Sequence, residues 1–368
     1  MNKAWLMENA DFPIKYGMTQ NSAFMEPMLL NSEVKLWLGR LADRVMRRDL
    51  SDIHGSHDYR YENIIGKCFI LGLHATIAQF DAYMRFFLDF LEKTVDGEAA
   101  SPKSSPGKLD NHTTHIPAEK LTFGKMYQYR DCETMLSCYL PFLGYAHEES
   151  VRYVAYKRAN IIYEFTKQER YDVYRSDLSY PGANKAWKPY ILDPDLYHDG
   201  NIALPSIHDL ILFAGMYPHL DHAMKEKVET TVRWLFGDQY EQIHDRLYYY
   251  APADPSYKSK AINSKVLLPN WRIAPQTDMR ALQSLLFLCF VLSHFESARA
   301  WVSEAIAYLG QYKTEANRYI FPTAMITEKK DAYVIGGGHM NVGEKKNHAK
   351  YAEIISTYWM ERIIDNLS

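Results

Sequence analysis

Apolar positions along this chain recur at helical rather than strand spacing over most of its length. Ser32–Arg48 sets Val34, Trp37, Leu38, Leu41 and Val45 on one face behind Asn31 or Ser32, which predicts a capped amphipathic helix. A polar loop follows, Asp49–Asn63, carrying Asp52, His54, His57, Asp58, Arg60 and Glu62. Gly66–Lys93 is then apolar on nearly every face, and a helix that is apolar all round is a buried one. The same two kinds of helix alternate downstream. Arg130–Tyr145 is apolar, with Pro141 kinking or ending it, and Glu148–Gln168 is amphipathic. Pro205–Tyr217 is apolar, with Pro205 in the favoured first turn, and His222–Ile243 is its amphipathic partner. Thr277 caps an almost wholly apolar helix to Phe295, Ser297–Tyr312 is amphipathic, and a last helix runs from about Asn347 to Ile364.

Apolar helix, amphipathic helix and aromatic loop thus recur at roughly 70-residue spacing, the apolar members starting near Arg130, Pro205, Asp278 and Asn347. The loops are Arg170–Leu204, Tyr248–Gln276 and the Gly-rich Arg318–Lys346. Strand signals reduce to Tyr333–Ile335 and Val266–Leu268, with no βαβ alternation. Val95–Thr114 has the Ser/Pro/Gly composition of a flexible loop. Because helix pairs continue in the same style on both sides of it, it is expected to be an insertion (95–114) within one domain spanning 1–368.

Composition changes this picture little. Hydrophobic residues are 47% and charged residues 24%, as in ordinary globular proteins, and the formal charge of −3 carries no basic footprint for nucleic acid. Tyr is abundant, 28 residues against 7 Trp. A ring with an apolar face and a hydroxyl suits pocket walls and interfaces, although a Tyr-rich core and surface would read the same way. Cys68, Cys132, Cys138 and Cys289 form no C-x-x-C pair and fit free thiols in a reducing compartment. The first residues lack a secretory h-region, and the longest apolar stretch, Leu285–Leu292, is too short to span a bilayer. A cytoplasmic protein with no membrane span is expected; its oligomeric state is open.

Apolar helices as an inner ring and amphipathic helices as an outer ring would close the chain into an all-α α/α toroid with long aromatic loops; an irregular helical bundle is the alternative. Lys227–Tyr250, KVETTVRWLFGDQYEQIHDRLYYY, resembles an outer helix of the terpenoid-cyclase and protein-prenyltransferase kind, in which a Trp-Leu motif leads into an aromatic or Gly-containing loop. The resemblance covers the pattern from Arg130 to the C-terminus. It implies an α/α barrel, a fold shared with several carbohydrate-active enzymes, with a small-molecule ligand in a central pocket.

Polar residues at the starts of the apolar helices are the candidate catalytic groups: Asp131, Glu133, His208, Asp209 and Asp278. Paired carboxylates at one mouth divide acid and base roles when their environments separate their pKa values, although the helix dipole alone also favours acids in a first turn. His208 and Asp209 are adjacent on a helix and so do not face each other. The segment GGGHMNVGE, Gly336–Glu344, allows positive φ and close backbone approach, and it puts His339 and Glu344 forward as ligand contacts on a loop that adds little to the core. Tyr197, Tyr249 and Trp271 complete the expected aromatic lining. Lys258, Lys260 and Lys265 read as a solvated face or an anion contact. No histidine or cysteine spacing supports a metal site, and the cofactor is left open. The Asp-x-Asp-Asp acid motif and the Asp-rich diphosphate motif of the resembled enzymes are absent, with DPDLYHD (Asp193–Asp199) only an echo. Three readings follow: an enzyme acting on an apolar, isoprenoid-type substrate, whose carbocations aromatic faces stabilise; a carbohydrate-active hydrolase, lyase or epimerase; or a non-catalytic ligand-binding or scaffold protein.

Overall fold

The computed structural model describes residues 2–50, 53–95, 100–102, 109–113, 123–244, 247–250, 259–261, 279–326 and 328–367. The chain is predominantly α-helical. The helices are α1 (Asn2–Asn9), α2 (Phe12–Thr19), α3 (Met25–Leu29), α4 (Ser32–Met46), α5 (Tyr61–Ile70), α6 (Ala78–Val95), α7 (Phe123–Ser137), α8 (Glu149–Thr166), α9 (Ile207–Met216), α10 (His222–Leu235), α11 (Met279–Leu292), α12 (Arg299–Leu309), α13 (Thr323–Ile326) and α14 (Tyr351–Leu367). Among the described residues three antiparallel two-stranded ribbons accompany them: β1 (Ala100–Pro102) with β2 (Leu109–Thr113), β3 (Tyr197–His198) with β4 (Asn201–Ile202), and β5 (Tyr248–Tyr250) with β6 (Ser259–Ala261). No described helix is long and apolar enough to cross a membrane.

Two compact units divide the chain. The first comprises Met1–Phe87, Phe142–Tyr145 and Asn270–Ser368; the second comprises Leu88–Pro141 and Ala146–Pro269. In the first unit α4 packs on α5, α11 meets α12, α13 and α14, and α1 docks on α14. Asn2 Nδ2 donates to Glu361 Oε1 at 2.9 Å and Lys3 pairs with Asp365 at 2.7 Å, so the chain's two ends are fastened together. The apolar run expected as one helix from Gly66 to Lys93 is broken between α5 and α6. Gly72 turns the chain at φ +74°, and a Cβ there would lie 3.0 Å from the Gly17 Cα, so backbone packs where a side chain would stand. Tyr333–Ile335 is not a strand: Val334–Gly336 is a 3-10 turn closed by Gly337 in the left-handed region. Val266–Leu268 lies outside the described residues.

In the second unit α8 packs against α7, α9 and α10, and α7 packs against α9. Every residue of α9 is buried, whereas α8 and α10 keep a solvent face, matching the expected apolar and amphipathic roles. Helix α7 begins at Phe123 rather than near Arg130, so Asp131 and Glu133 stand in its second half and not in a first turn. The aromatic loop makes a small core of its own. Tyr180, Ile191, Tyr248 and Tyr250 are buried together, Trp187 stacks on Tyr248 at 4.5 Å, and Leu192 N donates to Tyr248 O at 2.8 Å. Within 95–114, β1 and β2 pair; residues 96–99, 103–108 and 114 lie outside the described residues.

Candidate functional site

The first unit holds a buried polar network around Lys67. This lysine sits on α5 between Gly66 and Cys68, and its side chain is fully buried. A buried ammonium requires a counter-charge and a partner for each proton. Lys67 Nζ donates to Glu328 Oε1 at 2.6 Å and to the carbonyls of His339 and Asn341, with Glu33 Oε1 3.7 Å away. The other Glu328 oxygen lies 2.9 Å from His339 Nδ1, and His339 Nε2 faces the Ala332 carbonyl at 2.9 Å. A carbonyl can only accept, so Nε2 is a donor here. Burial works against ionising Glu328, but Lys67 and the bonds from His339 and Lys67 outweigh it and hold its carboxyl down to about 2. Trp37 closes over the His339 ring edge-on at 5.4 Å.

Glu344 ends the same loop. Its Oε2 accepts the backbone N–H of Asp11, the N-cap residue of α2, at 2.8 Å, so a residue remote in sequence takes the part that the acid of a capping box plays locally. Burial, joined by the Asp11 carboxylate, raises the Glu344 carboxyl above the usual range. The loop reaches this position because Gly343 adopts φ +83°, where a Cβ would stand 2.7 Å from Pro13 Cγ. Burial, together with the carboxylates of Glu328, Glu33 and Glu344, pushes the Tyr351 hydroxyl up to about 12.

The second unit carries a narrow cleft of mixed lining where α7, the β3–β4 ribbon and the start of α9 meet, with Ile202, Leu204, Pro205 and Leu247 as its apolar side. Its lining includes Arg130, Asp131, Thr134, Asn201 and Ser206, with Arg158 at its base. Arg158 is anchored on four sides: Nε and Nη2 bind the two Asp209 oxygens at 2.8 and 2.9 Å, and the guanidinium also donates to the carbonyls of Ile202 and Leu204. Asp209 completes a capping box with Ser206, which fixes the α9 terminus against the cleft. Arg158 and the Ser206 bonds hold the Asp209 carboxyl below its usual range despite burial. One turn of α7 away, the fully buried Glu133 is shared by Arg130 and Lys157. Burial and the neighbouring Arg130 and Arg158 lower Lys157 despite its Glu133 partner. Asn201 Nδ2 donates to the carbonyls of His198 and Asp199 at 3.2 and 3.3 Å, which fixes the amide's orientation and leaves Oδ1 buried without a partner.

The residues singled out from sequence therefore fall in different places. In the second unit Asp131 is half-buried and lines the cleft; Glu133 and Asp209 lie behind it, each neutralised by arginine; His208 is buried on α9. Tyr197 fastens the aromatic loop, its hydroxyl donating to Leu192 O and accepting from Tyr250 N, each at 3.1 Å, and Tyr249 is fully buried. In the first unit His339 and Glu344 are 2% and 3% exposed, so the Gly-rich loop is part of the core instead of adding little to it. Asp278, Trp271, Lys258 and Lys265 lie outside the described residues. Sequence reading passed over Lys67, Glu328, Arg130 and Arg158. A lone lysine in the apolar string IIGKCF was the available signal for the first. No family model, curated protein or solved structure matches the chain.

Proposed function

We propose that a small polyhydroxylated, carbohydrate-type molecule binds at the mouth of the second unit's cleft, and that Asp131 is its proton-transfer group. The observation that carries this reading is the polar wall of Arg130, Asp131 and Thr134 beside the α9 terminus. Such a wall offers charged and neutral hydrogen-bonding groups at fixed positions, as hydroxyl-rich ligands require. The unpartnered Asn201 Oδ1 is an acceptor that a hydroxyl or a water would satisfy. Glu133 and Asp209 are each paired with cations, and Asp131 is the acid among the described residues lining the cleft, an arrangement that fits a lyase or epimerase better than two-acid hydrolysis. An isoprenoid substrate would call for an aromatic-walled cavity, and no aromatic residue is among the described residues lining this cleft. In this reading α7 with α8, and the all-buried α9 with the amphipathic α10, are two helix pairs of an α/α toroid. A thermal-shift panel of monosaccharides, oligosaccharides and prenyl diphosphates tests it. Stabilisation by sugars, abolished in Thr134→Val and Asp131→Asn, is expected; stabilisation by prenyl diphosphates alone rejects it.

A further inference from the structure

Arg130 differs from the other cations of its cluster. Arg158 and Lys157 lie almost wholly inside the protein, at 8% and 16% side-chain exposure, whereas Arg130 remains 29% exposed at the cleft. Its guanidinium donates to Glu133 and, among the described residues, to no other group, so the rest of its N–H donors are unused. Glu133 is itself fixed by Lys157, which holds the arginine in place before any ligand arrives. Charge points the same way. Burial, and then repulsion from Arg130 and Arg158, lower the Lys157 pKa despite its Glu133 partner, so further positive charge is crowded beside Arg130. Asp131, the next residue on α7, projects about 100° away from Arg130 around the helix, so the two side chains address different parts of the cleft. The cleft has room for a few water molecules, enough for a carboxylate or phosphate group but not for a sugar ring.

Resting on the carbohydrate reading above, we infer that the ligand is an anionic sugar whose carboxylate or phosphate enters the cleft onto Arg130 beside the buried Thr134, while its hydroxyls meet Asp131 at the rim. A charge-assisted pair with a pre-positioned arginine is the strongest single contact the cleft can offer, and it selects against neutral sugars.

Isothermal titration on the full chain tests this with glucuronate, galacturonate and glucose 6-phosphate, against glucose, galactose, acetate and inorganic phosphate. One or more of the charged sugars is expected to bind at least about tenfold more tightly than its neutral counterpart, the order of one charge-assisted hydrogen bond. The uronate and phosphate arms identify which anion is used. Arg130→Gln is expected to erase that preference and Arg130→Lys to restore part of it. Should Arg130→Gln fail to fold, Arg130→Lys and the charged-to-neutral ratio of the wild type still decide. Equal affinity for charged and neutral sugars, or a preference unchanged in Arg130→Gln, overturns the anionic ligand and leaves the carbohydrate reading standing. Acetate or phosphate binding as tightly as the charged sugars overturns the sugar, and no binding of any sugar overturns both.

Discussion

At the scale of single residues, Lys67 shows how a buried charge is made tolerable. With no exposed side-chain surface, its ammonium faces Glu328 and two backbone carbonyls, and Glu328 in turn faces His339. Removing one member leaves its partner charged and dry, which costs about 3–5 kcal/mol; replacing both by apolar groups of similar volume costs much less. Urea unfolding should therefore show Lys67→Met and Glu328→Leu each strongly destabilised, and the double variant closer to wild type than either. Additive losses would mean that the pair is not coupled. His339 and Glu344 were legible as special because a three-glycine string with adjacent polar residues stands out in any sequence. That they would be interior was not legible, since their partners, Lys67 and the Asp11 backbone, come from the other end of the chain. Arg158 was hidden for a similar reason: a basic residue on an amphipathic helix usually marks the solvent face, and only tertiary structure turns one inward; Arg130 stood only as the start of an apolar helix.

At the scale of elements, the apolar stripes of α4, α8 and α10 were read correctly because each is long and strongly periodic, while boundaries followed local backbone chemistry that periodicity does not see. The missed break between α5 and α6 is the clearest case, since its flanks are equally apolar and only Gly72 marks it. The same glycine type has opposite consequences at two positions. Gly72→Ala places a Cβ in the left-handed region and against the Gly17 backbone, and should lower stability by about 1–2 kcal/mol. Gly39 lies on an exposed turn of α4 with nothing within 4 Å of an added Cβ. Gly39→Ala should raise stability by roughly 0.5–1 kcal/mol by removing unfolded-chain entropy. Thermal melts of the two variants check both signs; a stabilised Gly72→Ala would show that the turn does not need its conformation.

At the scale of the whole molecule, stability under acid is set by groups whose protonation the fold resists. His294 follows α11 in the first unit, ringed by Phe142 and Phe290 at 5.4 and 5.3 Å, and its Nε2 faces Asn366 Nδ2 at 3.1 Å. An amide N–H donates, so this nitrogen accepts and the ring is held neutral. Burial first, then the charge of Arg362, lowers its pKa from 6.5 to about 4. A histidine whose folded pKa lies below its unfolded value stabilises the fold above pH 6.5, and that stability drains away as pH falls toward 4, because the unfolded chain takes up the proton first. Over this window the loss is on the order of 3 kcal/mol. Glu328 acts with the same sign in a lower window, its contribution intact above the ordinary glutamate value of 4.5 and lost as pH falls toward about 2. Glu344 opposes both, since its raised carboxyl is relieved by protonation. The early part of acid destabilisation should thus belong to His294 and the late part to Glu328. Urea midpoints measured from pH 7 to pH 4 should fall steeply in the wild type and much less in His294→Phe, which keeps an aromatic ring against Phe142 and Phe290 but cannot titrate. The two curves should differ in slope between pH 6.5 and 4 whatever their offset at pH 7. Parallel curves through that interval would assign the acid sensitivity to other groups, among them His74 and His219, whose pKa values burial also lowers.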